Sequence, residues 1–217
     1  MGLLLCLARH GETADNARRI FQGQAGSGLN RLGRAQAARL AERMRQSPLS
    51  PLAAIVASDL ERAAETARYV SEACGVPVEL DPGLREVDVG TWTGKGYDEV
   101  ATLFPEEWAA WEAGIDVRRG GGETYAELAQ RVDGAISRIA ARYEGADRRI
   151  LVVSHGGAIK SWISKLLGVS SDGLRALAGV ANAALTVVER DARARHRLHS
   201  WNDAAHLEGL VVSEHSD

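Results

Sequence analysis

The sequence predicts an α/β fold, a three-layer sandwich with a mostly parallel central sheet flanked by helices on both faces. Three observations predict it. Short, unbroken apolar runs alternate with amphipathic helical stretches along the chain, the pattern of strand–helix–strand units. The runs contain almost no polar residue, as strands covered on both faces require. Polar clusters follow three of these runs directly, where open α/β sheets bind their ligands. The chain has 217 residues, which at roughly 150 residues per domain favours one domain. It shows no internal repeat, low-complexity linker or break in composition, so a single domain over 1–217 is expected, with a lid-like insertion around 88–122.

Each element has its own signal. Leu3–Ala8 is a short apolar run that ends at a glycine turn, a buried first strand. Asn30 is suited to cap a helix over Arg31–Gln46, in which Leu32, Ala35, Leu40 and Met44 recur at helical spacing. Pro48 and Pro51 punctuate the next loop. Ala53–Ala57 reads as a second strand, Asp59–Ala73 as a helix stopped by Gly75, and Val76–Leu80 as a third strand. Residues 84–122 are irregular and rich in glycine and tryptophan, with one helix expected around Tyr97–Gly114. Thr124–Tyr143 is a long amphipathic helix carrying Leu128, Val132, Ile136 and Ile139 on one face. Ile150–Val153 is a fourth strand, Gly156 starts a helix through Leu167, and Leu185–Val188 with Arg197–Trp201 form a last strand pair.

Composition narrows the function classes. Hydrophobic residues make up 45% and charged residues 25%, the mix of an ordinary globular protein rather than a disordered chain or a disulfide scaffold. With 29 acidic and 26 basic residues the net charge is −3, which gives no support to nucleic-acid binding through bulk charge. No apolar run approaches the roughly 18 residues of a membrane span, and the apolar start lacks a basic leader and is cut short by Arg9-His10-Gly11. Cys6 and Cys74 have no partner at metal spacing and read as reduced thiols, which suits the cytoplasm. An exposed strand edge would support a homodimer.

The chemistry lies in the polar clusters: Arg9-His10-Gly11-Glu12-Thr13, then Ser58-Asp-Leu-Glu-Arg62, then Ser154-His155-Gly156-Gly157. Each follows a strand, and each glycine turn neighbours a helix start with free N–H groups. Two arginines and two histidines brought into one crevice make a site for a dianion such as a phosphoryl group. Singly each signal is weak. A lone histidine after a strand is usually a structural hydrogen-bonder, Arg62 alone reads as a surface residue paired with Glu61 or Glu65, and Glu86 alone as a loop carboxylate paired with Arg85. Their joint placement at successive strand ends carries the reading.

Together these motifs resemble the histidine phosphatase superfamily, the phosphoglycerate-mutase-like proteins. The resemblance runs through Leu7-Ala-Arg-His-Gly-Glu-Thr13, Asn16 with Gln22-Gly23, Leu32-Gly33, Ser58-Asp-Leu-Glu-Arg-Ala63, Leu84-Arg-Glu86, Gly121-Gly-Glu123 and Ser154-His-Gly-Gly157. It implies His10 as the nucleophile that takes the phosphoryl group, with its other ring nitrogen anchored on backbone near Gly11. It implies Arg9, Arg62 and His155 as ligands of the phosphoryl oxygens, and Glu86 as general acid, then base. Asn16, Gln22, Gly23 and the backbones of Gly11 and Gly156 are expected to add substrate contacts. Neither cofactor nor metal is implied. The sequence departs from the family pattern at Gln24–Gly28, where glycines replace an acidic residue and proline, which predicts a flexible loop.

Three readings of activity remain open: a phosphatase acting on a small phosphomonoester, a cofactor-dependent phosphoglycerate mutase, and a non-catalytic phosphate-binding module. The short segment between Glu86 and His155, with no basic-tyrosine motif like that of the mutases, favours the phosphatase. Resemblance within the family points to broad-specificity or glucosyl-3-phosphoglycerate phosphatases. Elsewhere the readings are plain. His196, His199, His206 and His215 do not suit a shared metal. The arginines of the 31–46 helix are a solvated face. Arg118 and Arg119 either meet an acidic substrate or lie on the surface, and Trp92, Trp108 and Trp111 pack a core or face a bulky ligand.

Overall fold

In a computed structural model, residues 2–46, 51–143, 148–169 and 176–210 are described; Pro48 and His215 lie outside them. Six strands form one sheet: β1 (Leu3–Arg9), β2 (Ala54–Ala57), β3 (Val78–Leu80), β4 (Arg149–Ser154), β5 (Leu185–Arg190) and β6 (His196–Asp203). Their order is β3-β2-β4-β1-β5-β6. The four strands from β3 to β1 are parallel, and β5 and β6 add an antiparallel edge. The sheet is therefore α/β and mostly parallel, as the alternating pattern predicts.

The strands alternate sides residue by residue. Leu5, Leu7, Val56 and Val152 point to one face, where they meet α6 (Tyr125–Arg142) and α7 (Gly156–Leu166) through Leu128, Val132, Ile136, Ile159 and Trp162. Cys6, Ala8, Ile55 and Val153 point to the other, against α2 (Arg31–Gln46) and α3 (Glu61–Cys74) through Leu40, Met44, Ala67 and Val70. This is the three-layer arrangement. Both faces of β1 and β4 are covered, which explains runs without a polar residue.

The ends of the helices follow the sequence signals. Asn30 accepts from the Gly33 N–H at 2.7 Å and caps α2. Thr124 closes a capping box with Glu127 at the start of α6. Gly75 ends α3 in the left-handed region at φ 70°. Cys6 and Cys74 are free thiols. No helix among the described residues is long and apolar enough to cross a membrane.

The segment 88–122 differs from the single helix expected there. It holds two short helices, α4 (Tyr97–Leu103) and α5 (Pro105–Glu112), preceded by a 3₁₀ turn at Gly90–Trp92 and followed by another at Arg119–Gly121. Pro105 is the reason. Its ring cannot continue a helix but suits the first position of a new one, so Phe104 becomes the corner. A short α1 (Ala14–Ala17) also follows β1, capped by Thr13 with Asn16.

Candidate active site

The adjacent strands β2, β4 and β1 end side by side, and the chain leaving each of them delivers one part of the site. β1 ends at Arg9 and leads into His10, the turn after β2 delivers Ser58 and the first turn of α3 delivers Arg62, and the residue after β4 is His155. The backbone holds this register past the strand ends: His10 N donates to Ser154 O at 3.0 Å, and Ser58 N to Val153 O at 2.9 Å.

His10 is 2% exposed. Its Nδ1 lies 2.7 Å from the Gly11 carbonyl. A carbonyl only accepts, so Nδ1 carries the proton and Nε2 keeps its lone pair. Burial, then Arg9 and Arg62, push the pKa of His10 well below the usual 6.5, so the ring is the neutral imidazole that a nucleophile must be. Gly11 is committed to this task. Its N–H donates to Thr66 Oγ1 at 3.0 Å. A Cβ on Gly11 would stand 2.3 Å from Gly33 O, so α2 packs directly on this turn.

The two arginines are braced by carbonyls. Arg62 is 2% exposed and donates from Nη1 to Ala25 O at 2.6 Å and from Nη2 to Gly23 O at 2.7 Å. The glycine-bearing loop after Gln22 thus has a structural task, which its composition alone did not disclose. Arg9 donates from Nη1 to Val180 O at 2.6 Å. Burial lowers the pKa of both, that of Arg62 to about 10, and both remain cationic at neutral pH. Their Nε atoms are buried without a protein partner. A bound oxyanion would supply one.

His155 is fully buried, and its ring centroid lies 5.1 Å from that of His10. Its Nε2 is 2.8 Å from Ser58 Oγ, while Nδ1 has no partner. Ser58 Oγ already accepts from the Leu60 N–H. A hydroxyl both donates and accepts, so the contact with Nε2 serves either tautomer of the neutral ring. Burial and Arg62 hold the pKa of His155 well below 6.5.

Glu86 does not pair with Arg85, whose guanidinium binds Asp59 at 2.7 Å. Its carboxylate accepts from Gly157 N at 2.9 Å, Ala158 N at 3.0 Å and Val87 N at 2.9 Å. It sits at the N-terminus of α7, where backbone N–H groups favour an anion. Gly157 makes room for it, since a Cβ there would fall 2.4 Å from Glu86 Oε1.

Arg9, His10, Arg62 and Glu86 line a pocket of about 170 Å³, in which Glu86 is the one carboxylate among the described residues; His155 touches His10 but is not part of that lining. Asn16, Gln22 and Gly23 also line it. Asn16 Oδ1 is held by Thr13 N and Asn182 Nδ2, and Gln22 Oε1 is buried without a partner. Gly156 is not among the lining residues; a Cβ on it would stand 3.4 Å from Arg9 Nε. The far side comes from the 88–122 segment and its neighbours: Phe21, Tyr97, Trp111, Arg119 and Tyr125. Sequence reasoning missed Asn182, whose Nδ2 donates to His10 O at 3.1 Å and also reaches Asn16. It stands alone in a loop before β5, and no motif marks it. Tyr97 and Tyr125 were also missed, because both read as ordinary helix residues.

Other candidates separate from this pocket. His196 packs on Trp162 and His199 meets Glu189 at 3.0 Å, each on its own partner. Among the described residues no group of three or more His, Cys, Asp or Glu is placed to hold a metal. A larger hollow of about 430 Å³ lies along α6 and α7, lined by Gln130, Ser161 and Lys165, and shares with the pocket only Tyr125.

The arrangement fits phosphoryl transfer to an imidazole, and the comparisons with known proteins agree. The family model for the histidine phosphatase superfamily (branch 1) matches residues 5–204. The chain belongs to that superfamily. It is 35% identical to a metal-independent phosphoserine phosphatase of Arabidopsis thaliana over 211 residues, 95% of this chain and 84% of that protein. It is 33% identical to a probable phosphoglycerate mutase of Erwinia tasmaniensis, with 98% of each chain covered. Among solved structures, a mycobacterial glucosyl-3-phosphoglycerate phosphatase in complex with VO3 superposes with a TM-score of 0.83 at 32% identity, covering 92% of this chain and 99% of that one. Enzymes of this superfamily pass the phosphoryl group through a phosphohistidine. Membership together with these relatives makes the protein a phosphatase of this superfamily.

Proposed function

We propose that His10 is the residue phosphorylated, and that the protein hydrolyses a small phosphomonoester in two steps. In the first, His10 Nε2 forms a bond to phosphorus as the ester oxygen leaves, and Glu86 gives that oxygen a proton. In the second, Glu86 takes a proton from water, the oxygen of that water bonds to phosphorus, and the N–P bond breaks to release phosphate. Arg9, Arg62 and His155 hold the phosphoryl oxygens while charge redistributes, which is the main catalytic demand of such a transfer. One observation carries the reading: the Gly11 carbonyl fixes the His10 proton on Nδ1 and leaves the Nε2 lone pair in a pocket with two partly unpaired guanidiniums. The segment 88–122 is proposed as the lid that covers the leaving group.

The test is rapid quench with a phosphomonoester labelled at phosphorus. An acid-labile, base-stable adduct is expected on the native protein and none on His10→Ala, whose turnover should fall by at least about 10⁴-fold. Full turnover by His10→Ala would remove the assignment. The similarity to a probable mutase supports a second reading. Incubation with 3-phosphoglycerate, with and without a bisphosphorylated primer, separates the two. Phosphate release faster than isomerisation is expected, and primer-dependent isomerisation outrunning hydrolysis would favour the mutase.

A further inference from the structure

We infer that Asn182 is a positioning residue for the phosphoryl transfer: its amide decides which end of the Asn16 side chain faces the phosphoryl group. The inference rests on the placement of that group beside His10 proposed above, and adds the part played by a loop from the other end of the chain. Asn16 lines the pocket. Its amide can offer either an oxygen or an N–H donor there, and only the donor serves an oxyanion.

The orientation is settled by a relay that begins at the nucleophile's own carbonyl. His10 O accepts from Asn182 Nδ2 at 3.1 Å. A carbonyl has no proton to give, so Asn182 must present its NH₂ end. That NH₂ has a second proton, which goes to Asn16 Oδ1 at 3.2 Å. Thr13 N also donates to this oxygen, at a long 3.3 Å. With Oδ1 taken by two donors, the Nδ2 of Asn16 is the end left for the pocket. Removing the Asn182 amide does not strand His10 O, which keeps Ala183 N at 3.2 Å. Asn16 is then held by Thr13 N alone, so the loss falls on Asn16 rather than on the nucleophile.

The loop that carries Asn182 is fastened without its side chain. Arg9 N donates to Ala184 O at 3.2 Å, and Arg9 Nη1 to Val180 O at 2.6 Å. From behind, Asn202 on β6 accepts from Ala181 N at 2.7 Å and donates to Gly179 O at 3.0 Å. Ala183 sits in the left-handed region at φ 57°, a conformation that an alanine keeps only where its surroundings hold it. These anchors survive substitution at 182, so an effect on rate is separable from loss of the loop.

The experiment is a double-mutant cycle on Asn16 and Asn182. Hydrolysis of p-nitrophenyl phosphate and binding of inorganic phosphate are measured side by side, with thermal stability as control. Asn16→Ala should lower kcat/KM by about 10²-fold, the loss expected for one oxyanion donor. Asn182→Leu, of similar size but without a donor, should lower it by about tenfold. Asn182→Asp should cost about 10²-fold, because a carboxylate demands a donor from Asn16 and turns its amide over. In the Asn16→Ala background the leucine change should cost less than about threefold, since the group it acts through is gone. The aspartate variant supplies a second reading should the leucine variant fold poorly. Losses that multiply in full would overturn the inference, because the two residues would then act independently. So would native kcat/KM in both Asn182 variants with only a lower melting temperature, the mark of a purely structural role. A native protein that hydrolyses nothing would remove the functional reading beneath it, while the phosphate-binding cycle would still decide the role of Asn182.

Discussion

The two walls of the pocket are built on different principles. The wall of His10, Arg9 and Arg62, with His155 packed against His10, hangs from the ends of adjacent strands and the helices after them. Its side chains are anchored on main chain: His10 on Gly11 O, Arg62 on Gly23 O and Ala25 O, Arg9 on Val180 O. The opposite wall, from 88–122, is made of 3₁₀ turns and two short helices. An aromatic cluster holds it, with Trp108 and Trp111 ring centroids 4.9 Å apart and Phe21 and Tyr97 4.5 Å apart. Transfer of a phosphoryl group tolerates little misplacement of charge, and main-chain carbonyls that fix each side chain provide that rigidity. Choosing a leaving group needs a surface that varies without disturbing the sheet, and loops packed on one another provide that.

Glu86 lies between the two walls and gives the largest expected break in the comparison. Its carboxylate is tied to α7, and the backbone that carries it leads into the 88–122 segment. If it serves the chemistry, Glu86→Gln lowers kcat by about 10²–10⁴-fold while phosphate still binds. If it serves only as a cap for α7, the amide oxygen still accepts from Gly157 N and the rate barely moves. Single-turnover kinetics with a phosphate-binding titration separates these outcomes.

The strand-end wall was legible in the sequence because its signals are local. Arg9-His10-Gly11 and Ser154-His155-Gly156 each follow an apolar run, and the α/β pattern alone says that such turns converge. The sequence also anticipated the Nδ1 anchor at Gly11. The other wall was legible only in its composition. Periodicity could not divide 97–114 into two helices without weighing Pro105. Nothing in Arg118-Arg119 says which arginine turns inward, because that depends on the positive φ of Gly120 and on the Gly90 turn it packs against. Asn182 escaped for a related reason. Its partners, His10 O and Asn16, lie more than 160 residues away along the chain, and only the antiparallel placement of β5 beside β1 brings them together.

Acid sharpens the contrast, because the titrating burden falls on one wall. His10 and His155 are buried neutral, with pKa values held well below 6.5 by burial and by guanidiniums. A histidine depressed in this way binds its proton more readily in the unfolded chain. Its contribution is therefore complete above the unfolded pKa of about 6.5 and is lost as pH falls from there toward the folded value. Each such histidine takes up to about 1.4 kcal/mol per pH unit in that window. Urea unfolding between about pH 7 and pH 5 should show falling stability, with a shallower fall in His155→Gln. A flat profile would contradict the buried neutral pair.

The smallest effect compares two glycines, one behind each wall. A Cβ on Gly33 would stand 2.0 Å from Glu12 O, the backbone of the turn that carries His10. A Cβ on Gly120 would stand 2.6 Å from Val89 O, and Gly120 is also in the left-handed region at φ 54°. Both substitutions to alanine force backbone to move, at about 1–3 kcal/mol of stability each. The chemistry should tell them apart. Gly33→Ala pushes the turn after β1 and shifts the nucleophile, and a displacement near 1 Å costs on the order of 10²-fold in kcat. Gly120→Ala displaces Arg119 and leaves His10 and His155 at their strand ends and Arg62 on α3, so KM should rise while kcat changes by less than about tenfold. Steady-state kinetics on the two variants, each checked for folding by its near-ultraviolet circular dichroism, decides the matter. Equal losses of kcat would mean that the walls are mechanically one unit, and that the division between chemistry and selectivity drawn from their construction does not hold.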